Sequence, residues 1–200
     1  MLQDLKRGLL FTMVTMALFG VGYPVALWTF GRFVFPGQAE GSLIRNSEGR
    51  IVGSSLIAQR FDRAEYFHPR PSAVDYNGAS TGGSNDGPTN PAHLQTVRER
   101  LDALVAAEGV PASSVSSEMI TASGSGLDPH IPPESAEVQV NRIAAARRLD
   151  PSRLRDLVGR HVEPPTLGFL GRARVNVLEL NLALDGEFGS NGAAESTRKE

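Results

Sequence analysis

The sequence predicts an α+β protein: a single N-terminal transmembrane helix followed by one loop-rich soluble domain of mixed helix and strand. Three observations carry this. Residues 8–31 run 24 positions without a charge or a histidine. Helix-opening pairs recur downstream, at Asn90-Pro91, Pro132-Pro133 and Asp150-Pro151. Glycine (21) and proline (13) are plentiful while aromatics make up 6%, so the elements are short and joined by turns.

At about 1.5 Å per residue, ~20 apolar residues cross a bilayer core. The stretch LLFTMVTMALFGVGYPVALWTF at about 9–30 is long enough. Residues 1–35 are therefore assigned to an N-terminal segment holding the span, 36–187 to the soluble domain and 188–200 to a flexible tail. A cleaved signal peptide would use Lys6-Arg7 as its basic start and Gly37-Gln38-Ala39 as its cleavage site. Its apolar core would be only about 7–15 residues, much shorter than the run here. Gly20, Gly22 and Pro24 lie mid-span, where membrane helices tolerate them. They read as packing positions against a neighbouring helix. Trp28, Phe30, Phe33 and Phe35 gather at the far end like an interfacial belt. With the α-amino group counted, the basic bias places the N-terminus inside the cytoplasm and the domain outside it. One span cannot line a transport pathway.

Residues 36–50 read as a turn-rich exit from the membrane, and 51–61 as a short apolar strand or helix. The glycine- and proline-rich stretch 66–91 is a loop long enough to be either disordered or functional. Asn90 caps a helix whose Leu94, Val97, Leu101, Leu104 and Val105 recur at helical spacing, ended by Gly109-Val110-Pro111. A second helix opens at Pro132-Pro133-Glu134 and runs through Val140, Ile143 and Ala144 to about Leu149. Asp150-Pro151 opens a third, with Leu154, Leu157 and Val158 inward and Gly159 near its end. Residues 175–184 read two ways. Leu178, Leu180, Leu182 and Leu184 alternate as in a strand, which we favour, whereas Asn176 with Glu179 resembles a helix capping box.

The net charge is −2 and the soluble part is the more acidic portion, which argues against a nucleic-acid partner. With no cysteine, disulfides, thiolate metal sites and cysteine nucleophiles are excluded. The sequence has no GxxxxGK[ST] phosphate loop, no GxGxxG after a strand and no HExxH zinc motif. Ser123-Gly124-Ser125-Gly126 fails the GxSxG frame of a nucleophile elbow. His68, His93, His130 and His161 are widely separated, so no metal site is expected. The Asp-Lys-Thr-Gly signature of phosphorylated pumps is missing.

Three segments stand out instead: Tyr66-Phe67-His68-Pro69-Arg70-Pro71-Ser72-Ala73, Ser80 to Pro91 (STGGSNDGPTNP), and Thr121 to Ile131 (TASGSGLDPHI). With Gly41-Ser42-Leu43-Ile44 and Val175 to Asp185, they resemble the C subunit of the Kdp potassium-importing P-type ATPase of bacteria. The resemblance runs from the span to Asp185. Asp86 departs from the family pattern, which has an apolar or small residue there.

The resemblance implies a non-catalytic subunit in the bacterial cytoplasmic (inner) membrane, working with a channel-like potassium-selecting subunit, a catalytic P-type ATPase subunit and membrane lipid. It is needed for assembly and activity of the complex. Two roles are implied. In one, Ser80, Gly82, Gly83, Ser84 and Asn85 assist ATP binding by the catalytic subunit, consecutive glycine amides being able to form an anion nest. In the other, the domain sits on the outer face of the channel-like subunit, with His68, Arg70, Ser123, Ser125 and Asp128 at the interface or near ion access. ATP is essentially absent outside the cytoplasm, so the predicted orientation favours the second. The rival reading is an anchored extracytoplasmic binding protein that acts alone.

Overall fold

The computed structural model describes residues 1–46 and 48–189. They fall into two compact units that divide after Ser54.

The first unit opens with helix α1 (Leu2–Ala17), passes through a π-helical turn (Leu18–Gly22) and continues as α2 (Tyr23–Val34). Together they make 33 helical residues with a mean hydropathy of 1.8 over their most apolar window, long and apolar enough to cross a membrane. At about 1.5 Å per residue the helix is about 50 Å long, so it extends past the expected span at both ends. No side chain in it is buried within the chain, as befits a surface that meets lipid or other helices.

The π turn has an identifiable cause. Pro24 has no N–H, and its ring would press on the carbonyl of Gly20 in a regular helix. The turn just before it widens, and the Tyr23 amide reaches back five residues to Leu18 O. Gly20 and Gly22 both lie inside that widened turn.

The exit from the helix is more ordered than the turn-rich stretch expected there. A single helical turn, α3 (Pro36–Ala39), leads into a hairpin of β1 (Leu43–Arg45) and β2 (Ile51–Ser54). The strands pair antiparallel, Leu43 with Ser54 and Ile44 with Gly53. Asn46 Oδ1 shapes the turn by accepting from the Glu48 and Arg50 amides at 3.1 and 2.9 Å. Ser54 Oγ donates to Gly41 O at 2.7 Å.

In the second unit, α4 (Pro91–Glu108) is capped by Asn90, whose side chain accepts from Ala92 N, and ends at Gly109 in the left-handed region. It is followed by β3 (His130–Ile131), α5 (Pro133–Arg147), α6 (Pro151–Arg160), β4 (Val162–Glu163), β5 (Arg174–Asn176) and α7 (Val177–Phe188). The three strands form a small antiparallel sheet with β5 in the middle. Leu154, Leu157 and Val158 of α6 are buried as expected, and so are Val140, Ile143 and Ala144 of α5. They close one core with Ile131, Val175, Leu180 and Leu184.

Residues 175–184 correct the expectation of a strand. Only Arg174–Asn176 is extended, and a helix begins at Val177. The Asn176 side chain accepts from Glu179 N at 3.2 Å, the start signal that competed with the leucine alternation. The buried residues are Val177, Leu178, Leu180, Asn181 and Leu184, of which 177, 180, 181 and 184 follow helical spacing. The helix then runs to Phe188. The expected tail at 188–200 lies, from residue 190 on, outside the described residues.

Residues 55–90 hold no regular element, yet this segment crosses the core at Tyr66 and Phe67, the latter 0% exposed. Its backbone is held by side chains. Asn181 Oδ1 accepts from Phe67 N at 2.8 Å and Asn181 Nδ2 donates to Phe67 O at 2.9 Å. Gln139 Oε1 accepts from His68 N at 2.7 Å and Gln139 Nε2 donates to His68 O at 3.2 Å. Each amide thus does the work of a neighbouring strand. Replacing Asn181 with Leu keeps the volume but orphans a buried N–H and C=O. We expect a loss of about 2–4 kcal/mol in chemical denaturation of the full chain in detergent; an unchanged midpoint would show that the pair is not stabilising.

Candidate functional site

The three segments singled out in the sequence are tied together in the second unit. Ser123 N donates to Pro71 O at 3.1 Å, and Gly82 N donates to Ser125 O at 2.9 Å. The first segment thereby holds the third, and the third holds the second. The approach is close enough to explain two glycines. A Cβ on Gly83 would lie 3.1 Å from Gly124 O, and one on Gly126 would lie 2.8 Å from Gly82 O and 2.5 Å from Val74 Cγ2. Gly126 also has φ +70, so a side chain there would be strained as well as crowded.

The expected nucleotide-assisting residues are divided by this packing. The Gly82 amide is committed to Ser125, Ser80 and Ser84 are exposed, and Asn85 is exposed in the left-handed region with its Nδ2 donating to Gly83 O at 3.2 Å. Asp86, the departure from the family pattern, has a local role. Its Oδ1 accepts from Asn90 Nδ2 at 3.1 Å, and its Oδ2 lies 3.6 Å from His93 Nδ1. It places a carboxylate at the N-terminus of α4, where the helix dipole favours one.

Arg70 and Asp128 come together. Arg70 NH1 donates to Asp128 Oδ2 at 3.1 Å, and Asp128 Oδ1 accepts from His130 N at 3.0 Å, with His130 Nδ1 3.6 Å away. Burial pushes the Asp128 carboxyl up, but the His130 side chain and amide and the Arg70 guanidinium outweigh it and hold the group below the usual carboxylate range. These residues line a hollow of about 220 Å³ that also takes in Arg172 and Arg174. Ser123 is buried and Ser125 Oγ accepts from Leu127 N at 3.1 Å, so both act inside the loop that presents Asp128.

His68 stands apart from that pair. It lines a second hollow of about 350 Å³ with Phe61, Tyr76, Leu104, Glu108 and Arg142. Its Nε2 lies 3.1 Å from Arg63 O. Burial, then the Arg142 guanidinium, push its imidazole below the ordinary value.

Sequence reasoning missed the residues that fix this face from behind. Arg142 donates to Glu108 Oε1 at 2.8 Å, to Ala64 O at 2.6 Å, to Tyr66 O at 3.0 Å and to Gln139 Oε1 at 2.8 Å. Arg147, with its side chain 1% exposed, donates to Glu65 O, Gly189 O and Asp185 Oδ1 and lies 4.9 Å from the Tyr66 ring. The available signal was polar residues at inward helical positions: Gln139 beside Val140, and Arg147 one turn after Ile143. Among the described residues, no group of three or more His, Cys, Asp or Glu is placed to hold a metal ion.

The Asp128 geometry has a pH consequence. A carboxyl held low by folding stabilises at pH above its ordinary value and loses that contribution as pH falls through the folded value. Asp128→Asn should lower stability at neutral pH and flatten the acid limb below about pH 4, read as thermal midpoint against pH. A parallel shift at every pH would contradict it.

The family model described as "K+-transporting ATPase, c chain" (KdpC) matches residues 5–186. A protein of Sorangium cellulosum named "Potassium-transporting ATPase KdpC subunit" is 50% identical over 189 residues, 93% of this chain and 99% of its own. Proteins of the same name from Cereibacter sphaeroides and Geobacter sulfurreducens are 50% identical over 185 residues and 49% over 187. Each alignment covers 92% of this chain and 98% of theirs.

Proposed function

The chain belongs to the KdpC family, the c chains of potassium-transporting ATPases, and we propose that it is a non-catalytic accessory subunit needed for assembly and stability of an ATP-driven potassium importer. Its partners in this reading are the channel-like potassium-binding subunit and the catalytic P-type subunit. The chain is a single-pass protein of the bacterial inner membrane, with the N-terminus inside and the domain on the outer face of the channel-like subunit.

The observation that supports this most is how far the site is bound into its own scaffold. Arg70 NH1 pairs with Asp128, the Gly82 amide bonds to Ser125 and Arg142 bonds to four acceptors, while the buried Arg70 Nε and Glu108 Oε2 have no partner among the described residues. Groups satisfied in this way hold a shape, whereas chemistry needs groups left poised toward a substrate. A rigid face tethered by one long apolar helix fits a subunit that acts by contact. The basic residues ahead of the span, Lys6 and Arg7, support the orientation.

Deleting this chain should abolish potassium uptake at micromolar external concentration, measured as rubidium or potassium flux in cells that lack other high-affinity importers. Normal uptake without it would overturn the accessory reading.

Assistance to ATP binding is the weaker role, because it would rest on Ser80, Gly83, Ser84 and Asn85 without the Gly82 amide. Asn85→Ala should leave the apparent ATP affinity of the assembled pump unchanged. A several-fold weakening would restore the nucleotide role.

A further inference from the structure

The hairpin between β4 and β5 ends in a compact turn that exposes apolar side chains. Leu167 is 78% exposed, Phe169 74% and Leu170 49%. Among the described residues of the second unit, no other run of four carries three exposed large apolar side chains. The turn is built to hold this exposure. Thr166 N donates to Leu170 O and Leu170 N to Thr166 O, both at 2.9 Å, and Gly168 N donates to Pro165 O at 2.9 Å. Leu167, Gly168 and Gly171 all adopt positive φ, at 55°, 84° and 86°. For Leu167 that backbone is costly, so the turn spends strain to aim an apolar side chain outward.

We propose that this turn is the knob by which the domain seats in a protein socket on another subunit of the ATPase, an apolar recess bordered by a carboxylate that meets Arg172. This rests on the accessory-subunit reading. Five considerations select the occupant. The turn is fixed before binding, so seating it in a shaped recess costs little ordering. Arg172 follows the turn directly, is exposed and has no ion-pair partner among the described residues, whereas Arg174 is paired with Glu163 at 2.9 Å. An acid on the partner would complete the set.

Residues 172–174 also line the hollow that holds Arg70 and Asp128, so a partner seated on the turn covers that hollow too. A second copy of this chain fits worse, because two turns meeting tip to tip would bring the two Arg172 side chains together. Three side chains also fall well short of the roughly 800 Å² per partner that a stable interface buries, so the knob is the anchor of a wider contact. A bare lipid surface fits worse as well. Interfacial insertion joins an apolar face of Trp, Phe or Leu to several basic residues, and this turn offers the apolar part with only one unpaired arginine.

The test uses the full chain, tagged and co-produced with the other subunits in its native membrane. Phe169→Ser and Arg172→Glu should each reduce copurification of those subunits roughly tenfold or more, as loss of an interface anchor does. The thermal midpoint of the chain itself should stay unchanged, since neither side chain packs in the core. A benzoylphenylalanine photocrosslinker at Phe169 in the assembled pump should capture another subunit. Capture of lipid or of a second copy, or no capture at all, would overturn the proposal. If the parent chain copurifies and both variants do so equally well, the knob is refuted and the accessory reading stands. If the parent chain copurifies with nothing, the accessory reading fails and the knob with it.

Discussion

The second unit depends on a length of irregular backbone made safe inside the core. Residues 64–68 belong to no helix or strand, yet Phe67 is among the most deeply buried side chains of the unit. A buried loop leaves peptide groups away from water, and each orphaned group costs on the order of 1–3 kcal/mol. Here α5 and α7 send in Gln139, Arg142, Arg147 and Asn181, which between them bond to backbone groups of Ala64, Glu65, Tyr66, Phe67 and His68. Because the loop is fixed at Phe67, the chain leaves the core at a set point with Arg70 and Pro71 next in line. Pro71 then receives Ser123, and Arg70 receives Asp128. The face is a consequence of the clamp.

That dependence also explains what the sequence revealed and what it hid. Local signals were legible where the physics is local. Asn90-Pro91 and Gly109 bound α4, Asp150-Pro151 opens α6, and the inward residues of α5 and α6 follow from period. The family resemblance marked the three loop segments, and the structure joins them through Arg70 with Asp128, Pro71 with Ser123 and Gly82 with Ser125. The clamp was hidden because its partners lie 71 to 114 residues apart along the chain, so neither end shows anything unusual by itself. Residues 175–184 were misread for a related reason. Asn181 breaks the apolar face of a helix, which made the leucine alternation look cleaner than it is. Only Phe67, pressed against Asn181, explains a polar residue at that depth.

The membrane helix shows the same relation between local chemistry and wider consequence. Pro24 removes one donor and forces the π turn, and Gly20 and Gly22 fall inside it. A widened turn without side chains on two of its five residues leaves carbonyls less covered and the backbone open to close approach. That is a feature of helices that pack against others, and a lone anchor has no need of it. The π turn itself follows from Pro24 alone, and the expectation that Gly20, Gly22 and Pro24 pack against a neighbouring helix stays a proposal.

A subunit that acts by contact must keep its contact surface unsatisfied while satisfying everything that supports it. The second unit sorts its groups in that way. Two ion pairs lie buried among the described residues, Arg147 with Asp185 at 2.6 Å and Arg142 with Glu108 at 2.8 Å, and removing either partner of a pair would be costly; only Glu108 Oε2 and Arg70 Nε are buried there without a hydrogen-bond partner. Among the described residues left open are the apolar tips Leu167 and Phe169 and the Arg172 guanidinium, on or next to a turn whose backbone is hydrogen-bonded to itself. Exposing them costs the isolated chain solubility and gains it no stability. A partner surface laid over the turn would recover that cost, which is the physical ground for the docking proposed there.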